Sequence, residues 1–70
     1  MSSTSRAVKA AMAEHDMSQL DLGSAIGCSQ RSLSRRLRGE VDFRVPELQA
    51  IARVLDVPVS RLLGEEERAA

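Results

Sequence analysis

The sequence predicts an all-α fold, a compact bundle of about five short helices. Three observations carry that expectation. Apolar residues recur at helical spacing, and no segment alternates as a strand would. Glycine and proline punctuate the pattern at Gly27, Gly39, Pro46, Pro58 and Gly64, where helices are expected to stop or start. Of the 43% of residues that are hydrophobic only Phe43 is aromatic, so the core must be aliphatic. Seventy residues make one domain, near the lower size limit for a core that folds without staples.

Residues 1–5 are polar and are expected to form a flexible N-terminus, one of whose Ser/Thr side chains caps the first helix. That helix is expected from Arg6 to His15, with Val8, Ala11 and Met12 as its apolar stripe. Ser18 opens a second helix as a capping box with Asp21 three residues on. Leu22 and Ile26 share its inner face, and Gly23 is expected to permit close approach by a neighbouring helix. Gly27 stops it, since glycine readily takes the left-handed conformation a helix end needs. Ser29 caps a third helix that runs to Arg38, turns Leu33 and Leu37 inward and ends at Gly39. Residues 40–45 form a loop with Phe43 as its apolar anchor. Pro46 suits the first turn of a fourth helix, whose buried face is Leu48, Ile51, Ala52 and Leu55. Asp56-Val57-Pro58 breaks it, and a short fifth helix carries Val59, Leu62 and Leu63. The folded domain is thus expected over residues 6–63, with 64–70 as an acidic flexible tail.

Composition excludes several functions. The single cysteine, Cys28, forms no internal disulfide and no metal cluster, and it is expected as a small buried hydrophobe. His15 at a helix end suits the dipole there and has no partner motif. No apolar run approaches the ~18 residues of a membrane span, and the N-terminus lacks a signal-peptide core. A cytoplasmic, nucleoid-associated setting is the expectation. The chain has no Gly-rich phosphate loop, metal-ligand set or nucleophile with a base partner, so it is not expected to be an enzyme. No metal, cofactor or small-molecule substrate is expected.

Net charge is zero, but its distribution is uneven. Residues 29–44 hold five arginines (Arg31, Arg35, Arg36, Arg38, Arg44) against Glu40 and Asp42, or +3. Residues 64–70 hold three glutamates against Arg68, or −2. A basic patch on a neutral protein still attracts a polyanion locally. Four of those arginines fall within Ser18–Gly39, S-Q-L-D-L-G-S-A-I-G-C-S-Q-R-S-L-S-R-R-L-R-G, which reads as two short helices joined by a tight turn. This is the plan of a helix-turn-helix, which sets one exposed helix into the DNA major groove. Arg36, beside Leu37, fits a solvated face and a DNA contact equally well.

These residues resemble the phage repressor and Cro-like, or XRE-type, helix-turn-helix proteins over about residues 6–63. The markers are Ser18-Gln19, Gly27, Ser29-Gln30 and Gly39 in order, followed by P-E-L-x-x-I-A-x-x-L-x-V-x-x-x-x-L-L from Pro46 to Leu63. The resemblance implies sequence-specific binding of double-stranded DNA and transcriptional regulation. The expected form is a phage, plasmid or bacterial repressor, acting as a homodimer on a near-palindromic operator. It implies that Gln30 meets a base edge while Gln19 holds a phosphate and braces it. A glutamine amide both donates and accepts, which matches adenine N6 and N7. Arg31 and Arg35 match base-reading positions, where arginine suits guanine O6 and N7. Ser34 joins the base readers. Ser18, Ser29, Ser32, Arg38 and Arg44 are expected at the phosphate backbone. Val59, Leu62 and Leu63 are candidates for the dimer contact, with Leu62 equally suited to the monomer core.

Two departures from the family pattern matter. Many relatives carry an arginine at the place of Met12, paired with a buried glutamate at the place of Leu37; both positions here are apolar and are expected to touch. Gly23 stands where alanine is usual, at a helix cost of about 1 kcal/mol. The rival reading on the same fold is a protein-interaction module, antitoxin-like or a helix-turn-helix that no longer reads DNA. Against it, the third helix keeps Gln30, Arg31, Arg35 and Arg38, and no acid stands between Asp21 and Glu40.

Overall fold

The computed structural model describes residues 3–63. The acidic tail expected over 64–70, and the Gly64 stop, lie outside the described residues. Within them the chain forms five helices: α1 (Ser3–Glu14), α2 (Gln19–Ile26), α3 (Gln30–Leu37), α4 (Val45–Leu55) and α5 (Val59–Leu62). α2 packs on α3 and α4, while α1 closes the bundle against α3, α4 and α5.

The core is the aliphatic cluster that the helical spacing picks out. Val8, Ala11 and Met12 meet Leu22, Leu33, Leu37, Leu48, Ile51, Ala52, Leu55 and Leu62, all buried. Met17, Ile26, Cys28, Phe43, Val54, Val57, Val59 and Leu63 pack against it half-buried. Met12 and Leu37 belong to this cluster and line one shallow concavity of about 360 Å³ with Lys9, Ala13, Met17, Ser18 and Gln19.

Two details differ from the sequence expectation. α1 begins at Ser3 rather than Arg6, and Ser5, expected in a flexible segment, is only 2% exposed. Burial is tolerated because its hydroxyl donates to the Arg36 carbonyl at 3.0 Å, which ties the first turn of α1 to α3. Gly23 is approached most closely by the turn that follows α2 rather than by a helix: a Cβ there would lie 2.6 Å from the Cys28 carbonyl oxygen, and 3.8 Å from the Gln30 nitrogen that begins α3. Of the two places expected for Leu62 the monomer core is the one it takes: it is 0% exposed and has no surface left for a second copy of the chain.

The helix ends follow local chemistry. Gly27 takes φ 72°, and the Cys28 N–H then returns to the Gly23 carbonyl at 2.8 Å, closing α2. α4 starts one residue before Pro46, which occupies its first turn. Glu47 Oε1 accepts the Arg44 N–H at 2.7 Å, the glutamate half of a capping box. An arginine has no acceptor to supply the other half. Asp56 ends α4 in the left-handed region at φ 55°. An Arg61–Glu14 pair at 3.1 Å joins α5 to α1; both side chains are about half exposed, so it adds at most about 1 kcal/mol.

Candidate nucleic-acid interface

α2, the turn at Gly27 and α3 form a helix-turn-helix whose second helix is fixed from three sides. At its start, Ser29 Oγ accepts the Ser32 N–H at 3.1 Å, as Ser18 Oγ accepts the Asp21 N–H at 3.0 Å at the start of α2. Each hydroxyl uses a lone pair as a cap and keeps its own proton to donate outward. On the inner side, Leu33 and Leu37 are buried. At roughly 100° per residue, Arg31 and Arg35 then fall opposite the core, and Arg36 falls at its border.

The border position decides what Arg36 does. It neither points into solvent nor joins the outer face. Its guanidinium Nε lies 3.1 and 3.2 Å from the two Glu47 oxygens, with the two side chains only 15% and 25% exposed. Nη1 donates to the Ser32 carbonyl at 3.1 Å and to Ser32 Oγ. With Ser5 on its carbonyl, Arg36 joins α1, α3 and α4. The same Glu47 carboxylate holds the Arg44 N–H, so the orientation of α3 is coupled to the loop that presents Arg44. Ser32 is consequently half-buried and turned toward Arg36.

The other expected contacts stand at the surface. Gln30, Arg31, Arg35, Arg38 and Arg44 are exposed, with Ser18 and Ser29, while Gln19 and Ser34 are half-exposed. No hydrogen bond links Gln19 to Gln30 among the described residues. Glu40 approaches two of the arginines: its Oε2 is 2.6 Å from Arg38 Nε and its Oε1 is 3.7 Å from Arg35 Nε. Arg31 and Arg44 form no ion pair with the described carboxylates.

Glu47 and Glu40 are the residues that sequence reasoning missed. Glu47 is eleven positions from Arg36, beyond any helical repeat. Its place three residues after the cap was a visible signal, masked because arginine is not a capping type. Glu40 follows the glycine that closes α3, and in such an end the residue after glycine folds back beside the last turn.

A family model described as Helix-turn-helix matches residues 8–62, which runs from the core of α1 to the end of α5. No curated protein and no solved structure matches the chain significantly. The family is one of DNA-binding regulators, and no helix among the described residues is long and apolar enough to cross a membrane. The matched span covers most of the chain and takes in every element of the motif: this protein belongs to the Cro-like, XRE-type helix-turn-helix family.

Proposed function

We propose that the protein reads a specific sequence in double-stranded DNA and represses transcription as a homodimer on a near-palindromic operator. The observation that carries this reading is the outward face of α3. Arg31 and Arg35 stand opposite the buried Leu33 and Leu37, Ser34 is half-exposed at the border, and Gln30 is exposed at the first position of the helix, whose angle is fixed by its cap and by Arg36. Gln30 and Arg31 meet the first bases, and Ser34 and Arg35 extend the contact along the groove. Ser18, Gln19, Ser29, Arg38 and Arg44 hold phosphates, with Ser32 supporting them from behind through Arg36. Phosphate contacts fix register; the base contacts choose the sequence.

A dimer would place its two copies of α3 in successive major grooves about 34 Å apart. Val59 and Leu63, half-buried on α5 and at its end, are the apolar groups proposed for the contact between copies.

Two substitutions separate the roles. Gln30→Ala is expected to weaken the preferred site by about 1–3 kcal/mol and to relax selection at one base position. Unchanged affinity in a fluorescence-anisotropy titration would remove Gln30 as a reader. Arg44→Ala is expected to weaken all sequences equally and to reduce the slope of log affinity against log salt by about one. An altered base preference in that variant would reassign Arg44 to a groove.

A further inference from the structure

We propose that Glu40 is a specificity-determining positioning residue, which holds Arg35 and Arg38 so that they face DNA with only one edge of each guanidinium. The proposal rests on the DNA-reading function above. Gly39, at φ 81°, folds the chain back after α3, and the Glu40 N–H donates to the Arg35 carbonyl at 3.0 Å. The carboxylate is thereby set beside both arginines, with Oε2 accepting from Arg38 Nε at 2.6 Å and Oε1 3.7 Å from Arg35 Nε.

Both approaches use Nε, and among the described residues the paired Nη groups of the two arginines form no hydrogen bond. The Nη pair is a fork that suits guanine O6 and N7, or two phosphate oxygens. The two arginine side chains are 53% and 58% exposed, and pairs that open to water contribute little to stability. Their consequence lies in binding. A carboxylate on a DNA-facing surface opposes every phosphate, so it weakens association with any sequence. It also restrains Arg35 from swinging to the nearest phosphate, the contact that non-specific binding uses. On the correct site Arg35 meets a base with its Nη edge while Nε stays near Glu40, and little is given up. Glu40 therefore penalises non-specific DNA more than the preferred site.

The test compares the full chain with its Glu40→Gln and Glu40→Asp variants on the preferred site and on a scrambled duplex. Glu40 is half exposed, and a thermal melt of each variant confirms an unchanged fold. Glu40→Gln is expected to bind the scrambled duplex about tenfold more tightly with a salt slope steeper by about one, and the preferred site less than about threefold more tightly. The specificity ratio falls. Glu40→Asp keeps the charge but withdraws the carboxylate by one methylene, so the ratio is expected to fall with the salt slope unchanged. Equal tightening on both duplexes by Glu40→Gln would mean that only charge matters and would overturn the proposal, as would a Glu40→Asp ratio equal to that of the unsubstituted chain. If the unsubstituted chain itself shows no preferred site, the DNA-reading function fails before any variant is compared.

Discussion

Leu37→Glu is expected to destabilise the fold by about 3 kcal/mol or more, which is most of what a domain this small possesses. Leu37 is 2% exposed among Leu22, Leu33, Met12 and other aliphatic side chains. A carboxylate there must give up its hydration with no unpaired buried cation to receive it, because the Arg36 guanidinium is already held by Glu47. The nearest cation on the same concavity is Lys9, which is itself half-exposed. The resemblance to relatives with arginine and glutamate at these two places suggests the rescue. Met12→Arg combined with Leu37→Glu is expected to recover more than half of the loss, because the pair supplies the missing partner. Urea denaturation of the two single variants and the double variant measures the coupling. A Leu37→Glu midpoint equal to that of the unsubstituted chain would mean that the Met12–Leu37 region is not a closed core.

Glu47→Ala is expected to cost about 2–3 kcal/mol of stability, a larger effect than truncation of any single residue on the outer face of α3. The loss has two parts. The Arg44 N–H loses its acceptor at the start of α4, and the Arg36 guanidinium is left mostly buried without a counter-charge. Glu47→Gln keeps an oxygen in place for both donors and is expected to lose only about 1 kcal/mol. Arg36→Met in the Glu47→Ala background is expected to recover part of the loss, since removing the stranded cation removes its desolvation cost. If Glu47→Ala melted like the unsubstituted protein, the coupling between α3 and the Arg44 loop would carry no energy.

Much of this fold is legible in the sequence, because a small aliphatic bundle writes its core as helical spacing. Val8, Leu22, Leu33, Leu37, Leu48, Ile51 and Leu55 each sit where their spacing puts them. Helix ends were readable where a side chain with a specific local geometry marks them, as Ser18, Ser29 and Gly27 do. What escaped the sequence depends on contacts between distant segments. Ser5 looks like part of a polar tail until the Arg36 carbonyl is brought to it. Arg36 has two equivalent readings until Glu47 arrives from α4. Gly23 suggested close packing, and only the folded chain shows that the Cys28 carbonyl makes it. The candidate site follows the same rule: the identities of Gln30, Arg31 and Arg35 are visible, whereas the contacts of Glu40 with Arg35 and Arg38, and of Glu47 with Arg36 and the Arg44 N–H, are not.

The central claim is that α3 reads DNA sequence, and it is tested most directly by selecting bound sequences from a random DNA library at near-physiological salt. The expected result is enrichment of a two-fold symmetric site whose half-sites are centred about one helical turn apart. A single enriched half-site would retain the reader and contradict the dimer. Absence of any enrichment by a folded sample would contradict the claim itself and favour a protein-interaction module on the same fold.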